Sequence, residues 1–231
     1  MSSFRSALVT GGRSGIGAAI VAALEREGTE VRVFDIVDGF DVADPRAWDE
    51  VGPVELACLN AGVTTGERDV ARIDDGAYRR IVGANLDGVV YGVRRLAQVM
   101  DTGSIVVTAS LAGLTGTPED PLYALTKHAV VGFVRSVAPQ LAERGIRVNM
   151  VNPGFVDTPM IDVVGRAAFE AAEFPLLAPE DVAAAVLLAA RDEEVGQSWI
   201  VQPGRQPMKF RYPGIPGPRV SGKEGVRPPS I

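Results

Sequence analysis

A single cysteine, Cys58, and a single histidine, His128, stand among 231 residues. One cysteine cannot form a disulfide within the chain, and it rules out a cysteine-based metal site. A serine–histidine pair would have only His128 to draw on, which follows Lys127 on an apolar-rich run and reads as an ordinary helix histidine. Aromatic residues make up 6% of the chain, and 23 Lys and Arg face 29 Asp and Glu, a net charge of -6. That balance argues against a nucleic-acid surface. No apolar run approaches the ~18 residues of a membrane span, and Met1-Ser-Ser-Phe-Arg leads directly into a strand-like segment without a leader-type core. The expectation is a cytoplasmic protein that binds neither nucleic acid nor membrane.

What is present is an ordinary globular composition, 46% hydrophobic and 23% charged, in which strand-like and helix-like segments alternate. Such alternation predicts an α/β fold with a parallel sheet. Ser6–Thr10 is a short apolar run, followed by Gly11-Gly12-Arg13-Ser14-Gly15-Ile16-Gly17 and then a helical period through Ile20, Val21 and Leu24. Strand, glycine turn and helix in that order suit a pyrophosphate, because glycines let the backbone approach and the free N–H groups of a helix start favour negative charge. A plain strand-to-helix connection would read the same way. Gly28 stops the helix and Thr29–Asp35 is a second strand. Asp35 lies 18 residues beyond Gly17, where an acid accepts the adenosine ribose hydroxyls and repels a 2′-phosphate. NAD is therefore expected over NADP, although Arg13 in the turn is a basic group that could answer the phosphate.

Five residues separate Asp35 from Asp41, while a parallel crossover with its helix needs roughly a dozen. The third strand and its crossover helix are expected to be vestigial or missing, leaving Asp41 and Val42 near the adenine end and the second strand partly exposed. Pro45–Glu50 can form only a short helix. Val54–Leu59 reads as a buried strand that ends in the small residues Asn60, Ala61 and Gly62, past which a cofactor can lie closely. Ile73 to Met100 has the period of one long helix, with Asn85 in its middle as a polar surface residue. Gly103–Ala109 is a strand that delivers Ser110 to the edge where open α/β sheets place ligands. Pro121–Leu141 reads as a helix, Gly145–Val151 as a strand, Glu180–Arg191 as a helix and Ser198–Gln202 as a last strand. Residues 1–202 form one domain. In the remaining 29 residues seven are proline and six are Lys or Arg, so residues 203–231 are expected to be a tail, disordered or laid on another surface.

Tyr123 and Lys127 are four apart on the Pro121–Leu141 helix and share a face. A phenol beside an ammonium can handle protons, since a nearby cation brings a pKa of ~10 toward working range. A half-buried aromatic next to a solvated lysine gives the same spacing.

The ordered set of Thr10-Gly-x-x-x-Gly15-x-Gly17, Asn60-Ala-Gly62, Asn85, Ser110 thirteen residues before Tyr123-x-x-x-Lys127, and Pro153-Gly154-x-x-x-Thr158 resembles the short-chain dehydrogenase/reductase family over nearly the whole chain to Gln202. The resemblance implies a Rossmann-type doubly wound parallel sheet in three layers. It also implies a catalytic set: Tyr123 as general acid/base, Ser110 hydrogen-bonding the substrate oxygen, Lys127 lowering the phenol's pKa and binding the nicotinamide ribose, and Asn85 holding helix geometry and a water relay. Asn60, Ala61, Gly62, Pro153, Gly154, Val156 and Thr158 join the glycine turn, Asp35, Asp41 and Val42 as expected cofactor contacts. Leu59 departs from the family pattern, where many members carry an asparagine, and the segment from Thr158 to Pro179 is short for a substrate lid, which suggests an open site or one partly closed by the tail. Pro121–Thr158 and the ending Trp199–Arg205 bear a weaker likeness to the NAD-dependent hydroxyprostaglandin-dehydrogenase-like branch.

The implied reaction is NAD-dependent interconversion of a moderately apolar secondary alcohol and a ketone, with Leu111, Leu114, Pro118, Phe155, Val156 and Met160 near the reaction centre in sequence. A protein of the same fold that binds or senses NAD(H) without catalysis is the alternative. Family members are usually dimers or tetramers that pair the helices carrying Asn85 and Tyr123, so a homotetramer is expected.

Overall fold

Short aliphatic runs become strands here because both faces of the sheet are covered, which suits runs with no polar alternation. The computed structural model describes residues 4–161 and 163–216. Its strands are β1 (Ser6–Thr10), β2 (Glu30–Phe34), β3 (Leu56–Leu59), β4 (Gly103–Thr108), β5 (Ile146–Pro153), β6 (Ser198–Val201) and β7 (Met208–Lys209). They lie in the order β2-β1-β3-β4-β5-β6-β7, parallel except for β7, which runs antiparallel to β6. The helices are α1 (Gly15–Arg26), α2 (Asp75–Val82), α3 (Gly88–Val99), α4 (Pro121–Ala142), α5 (Val163–Ala171) and α6 (Pro179–Arg191).

Successive residues of β4 serve opposite cores. Ile105 and Val107 meet Leu96 of α3 and Val130 and Val134 of α4, whereas Val106 joins Cys58, Ile20 and Leu24 of α1 and Val186 and Ala190 of α6. The result is the three-layer doubly wound sheet expected. Burial pushes the Cys58 thiol up to about 12, so it is an inert core residue.

The missing crossover is visible directly: β1 pairs β2 on one side and β3 on the other, so β2 is the sheet edge. In place of a strand and helix, Asp35 accepts from the Val37 N–H and starts a 3₁₀ turn over Ile36–Asp38. The chain then returns through Phe40 and Val42 to a second turn at Ala47–Glu50. Trp48 anchors this return. It is 1% exposed, donates its indole N–H to the Val42 carbonyl at 3.0 Å and meets Phe40 edge-on, which in turn packs on Phe34. Gly92 of α3 lies against it, and a Cβ there would come within 2.7 Å of the indole.

The long helix begins at Asp75, capped by the Asp74 carboxylate on the N–H groups of Gly76 and Ala77, and runs through α2 and α3. A π-turn over Gly83–Asp87 joins them. The turn widens the helix where Asn85 sits, and Asn85 is fully buried, not a surface residue. Periodicity could not reveal this, because one extra residue per turn leaves the apolar period on either side intact.

Two further differences concern the C-terminal third. The stretch after Thr158, which has no clear period, contains the nine-residue α5. The segment from Pro203 is not wholly a tail: it turns at Gly204, which has a φ of 69°, and adds β7 to the sheet. Side chains hold it there. Lys209 pairs with Asp192 at 2.8 Å and Glu194 at 2.7 Å, the Tyr212 and Ser198 hydroxyls are 2.6 Å apart, and Arg135 of α4 stacks on the Tyr212 ring at 3.8 Å. A two-residue strand between prolines carries no alternation by which it could be read. The rest of the expected tail, from residue 217, lies outside the described residues.

Candidate active site

The carboxyl ends of β1, β3 and β4 are knotted together by side chains. Thr10 accepts from the backbone N–H of Asn60 at 2.9 Å and of Ala61 at 3.1 Å. Asn60 donates to the carbonyls of Thr10 and Gly11 and accepts from the Thr108 hydroxyl at 3.1 Å. Asn60 therefore shapes the glycine turn with its amide, which is bonded within the protein. Gly17 is buried at the start of α1, where any Cβ would run into the Gly11 carbonyl. Ser14 precedes α1 in an extended conformation and makes no side-chain cap, so its hydroxyl does not occupy the N–H groups of the first turn. Ile16 packs on the core, and the Thr158 methyl lies over Gly15. A glycine-rich turn in front of a helix start without a side-chain cap fits a dinucleotide pyrophosphate.

At the end of β2 the Asp35 carboxylate accepts from the Arg13 backbone N–H at 3.0 Å and the Val37 N–H at 3.2 Å. The Arg13 guanidinium is engaged by Asp38 at 2.7 Å, which raises its pKa, so the one basic side chain of the turn is already paired with an acid. Asp41 is exposed and accepts from the Ala43 N–H. Val42 turns inward and lines a narrow crevice with Thr10, Leu59 and Ala61. Pro153 ends β5, and the Gly154 N–H donates to the Val201 carbonyl at 3.0 Å. Val156 bridges to Leu177, and its side chain is in the core beside α6.

The second half of the site hangs on β4 and α4. Ser110 follows β4, caps a 3₁₀ turn at Leu111–Gly113 by accepting from the Ala112 N–H, and its side chain lies close enough to the Tyr123 phenol to act on its pKa. Lys127 is 4% exposed. Its ammonium donates to the Thr108 carbonyl at 2.9 Å and stands 5.5 Å from the Tyr123 ring centre. Burial draws the Lys127 pKa down to about 8. The expected depression of the phenol is absent: burial raises the Tyr123 pKa, Ser110 opposes this, and the Asp120 charge adds to it. The phenol is thus a proton donor at neutral pH. Asn85 accepts from the Val63 N–H at 2.7 Å and donates to the Val63 carbonyl at 2.9 Å and the Thr126 hydroxyl at 3.1 Å. Among the described residues, no group of three or more His, Cys, Asp or Glu could hold a metal ion, and no helix is long and apolar enough to cross a membrane.

The short chain dehydrogenase family model matches residues 41–167, just over half of the chain. The chain is 33% identical to the 3-alpha-(or 20-beta)-hydroxysteroid dehydrogenase of Mycobacterium tuberculosis, over 86% of its own length and 88% of the relative's. This chain belongs to the short-chain dehydrogenase family. It is also 31% identical to the cyclohexanol dehydrogenase of an Acinetobacter strain, over 81% of its length and 88% of that enzyme. The ligand-free aldohexose dehydrogenase of Thermoplasma acidophilum superposes with a TM-score of 0.75 at 26% identity, covering 85% of this chain and 92% of that one. Family membership makes the chain an oxidoreductase of the alcohol–carbonyl class with a dinucleotide-binding fold.

Two residues of this short-chain dehydrogenase escaped sequence reasoning. Asp120 caps α4, with Pro121 at its first position, and Thr126 links Asn85 to the Tyr123 carbonyl. Asp-Pro at a helix start is a readable cap signal. No local pattern announces Thr126, because its partner is 41 residues away.

Proposed function

We propose that the protein is an NAD-dependent dehydrogenase/reductase that interconverts a secondary alcohol and a ketone, with Tyr123 as general acid/base. The observation that carries this reading is the Ser110–Tyr123–Lys127 cluster, a buried phenol beside the Ser110 side chain with a buried ammonium 5.5 Å from its ring centre. The glycine turn, Asp35 and the Asn60–Gly62 strip would hold the dinucleotide, and its nicotinamide supplies the hydride acceptor or donor when bound. In reduction the neutral phenol of Tyr123 gives its proton to the carbonyl oxygen; in oxidation the phenolate takes the carbinol proton. Ser110 donates to the same oxygen and stabilises the charge that develops there. Lys127 would balance the phenolate and bind a ribose hydroxyl of the nucleotide.

Preference for NAD is supported by Asp35 at the end of β2 and by Arg13, whose guanidinium is paired with Asp38. A moderately apolar, ring-shaped substrate is supported by the steroid and cyclohexanol relatives and by the Phe155, Phe169 and Phe174 rings packed together after β5. A homotetramer pairing the Asn85 and Tyr123 helices is the proposed assembly, and a monomer mass by light scattering would overturn it. The test of function is a panel of cyclic and acyclic secondary alcohols and ketones with NAD and NADP at matched concentrations, followed by nicotinamide absorbance. Turnover with NAD supports the reading. Nucleotide binding without turnover of any member would favour the sensing alternative.

A further inference from the structure

A helix cap needs one acceptor, yet Asp120 makes five hydrogen bonds. Its Oδ1 accepts from the Tyr123 N–H at 2.9 Å and the Thr65 hydroxyl at 2.7 Å. Its Oδ2 accepts from the Thr64 hydroxyl at 2.6 Å, the Thr65 N–H at 2.8 Å and the Gly66 N–H at 2.9 Å. Four of the five therefore go to a strip of chain more than fifty residues away. The group is 6% exposed, and no salt bridge to it exists among the described residues. Burial raises its pKa, but the hydrogen bonds from Thr64, Thr65, Gly66 and Tyr123 outweigh this and hold it below the usual carboxylate range. The carboxylate is thus charged at neutral pH, and hydrogen bonds to a charged acceptor are roughly twice as strong as neutral ones.

The strip it holds is the continuation of Asn60-Ala61-Gly62. Its near end, Val63, is gripped by Asn85 through both backbone groups. Asn85 in turn reaches Thr126, whose hydroxyl donates to the Tyr123 carbonyl at 2.9 Å. The two backbone groups of Tyr123 are consequently tied to opposite ends of one strip, the N–H through Asp120 and the carbonyl through Thr126 and Asn85. We infer that Asp120 is a positioning residue, which clamps the Thr64–Gly66 strip to the first turn of α4 and thereby fixes Tyr123 against the cofactor side of the site. The inference rests on the reading of Tyr123 as the acid/base.

The competing account is that Asp120 merely caps α4, and two substitutions separate the two. Asp120→Ser keeps a good cap but is too short to reach the strip, and Asp120→Asn keeps length but loses charge and acceptor capacity. Both are expected to lower kcat about 10- to 100-fold, the size of effect that a misplaced catalytic group produces, with the nucleotide Kd changed less than about threefold. Amide hydrogen exchange at 64–66 should speed up in both. Asp120→Asn should also move the rising limb of the oxidation rate to lower pH, because the Asp120 charge holds the phenol proton on. The other groups at the phenol, Ser110 and the Lys127 ammonium, are unchanged, and the Arg68–Glu119 pair lies out at the surface. Wild-type kcat and pH profile in Asp120→Ser would overturn the inference, since capping would then suffice. Should either variant fail to fold, Thr64→Val/Thr65→Val removes two hydroxyl donors while sparing the carboxylate, and unchanged kcat there would overturn it equally. Tyr123→Phe run alongside keeps the two ideas apart: normal turnover in that variant sinks the acid/base reading, while the exchange at 64–66 still reports on the clamp.

Discussion

Between Thr10 and Asp35 the site is assembled from backbone, whereas between Ser110 and Lys127 it is assembled from side chains that reach distant segments. The first region is a turn that admits no Cβ at Gly17, an uncapped helix start and one acid, all within 26 consecutive residues. In the second region, Lys127 bonds to the carbonyl of Thr108, Thr126 to Asn85 and Asp120 to Thr64–Gly66. The contrast has a physical basis. A pyrophosphate is bound by N–H groups that every residue carries, so the binding turn must chiefly keep side chains away. A proton must be moved by one particular group, so its position has to be fixed by polar contacts from several directions.

The sharpest test of this contrast is Tyr123→Phe. It deletes only the phenolic oxygen, and general acid/base groups typically contribute about 10²- to 10⁴-fold. A kcat loss in that range is expected, with nucleotide affinity by fluorescence titration changed less than about threefold. Equal damage to both parameters would mean that the two regions do not divide the work as described.

On the nucleotide side the weakest point is the stretch that replaces the crossover. Trp48→Ala empties the space between Phe40, Val42 and Gly92, and loss of a buried aromatic of this size costs about 3–5 kcal/mol. Denaturant unfolding should show it, and nucleotide affinity should fall as the floor under Val42 loosens. A loss below about 1 kcal/mol would mean that the Phe34–Phe40 pair holds the edge alone.

Asp35→Ser probes the same region by charge. The ratio of kcat/KM with NADP to that with NAD should rise about tenfold, a difference of roughly 1.4 kcal/mol. Asp38→Ser added to it should raise the ratio further by freeing the Arg13 guanidinium. If the single substitution leaves the ratio unchanged, Asp35 acts only on the Arg13 and Val37 N–H groups it already holds.

The same contrast explains what could be read from residues alone. The turn, Asp35 and the short path from Asp35 to Asp41 are local in the chain, and their consequences, an edge strand β2 and a lost crossover, follow from counting residues. Tyr123 and Lys127 are legible because four residues on a helix share a face. The environment of that pair is not legible: the phenol's pKa is raised rather than lowered, since burial and the Asp120 charge outweigh Ser110, while the Lys127 ammonium is bonded to the Thr108 carbonyl. Asn85 reads as surface because a π-turn leaves the helical period undisturbed on either side. Strand β7 escapes because two residues cannot alternate, and its hold comes from Lys209 and Tyr212 meeting partners that are outside its own segment.

Lys127→Met gives the smallest change in stability and the most discriminating one. Burial lowers the lysine pKa from its usual 10.5 to about 8. Between those values the unfolded chain binds more protons than the folded one, so this group weakens the fold at neutral pH and the deficit shrinks as pH rises through the window. A pKa difference of that size corresponds to at most about 3 kcal/mol. Against it stands the Thr108 carbonyl, which loses its donor in the variant at a cost of about 1–3 kcal/mol. The two nearly cancel, so at pH 7 Lys127→Met should be as stable as the parent or up to about 2 kcal/mol more stable, while turnover is lost. Raising the pH toward 10.5 relieves the parent and leaves the variant alone, so any advantage of the variant should disappear there. A variant that melts well below the parent at every pH would make Lys127 a structural tie to β4. A variant that is stable and inactive would show that the ammonium is held in the core, against its own electrostatics, for what it does to Tyr123.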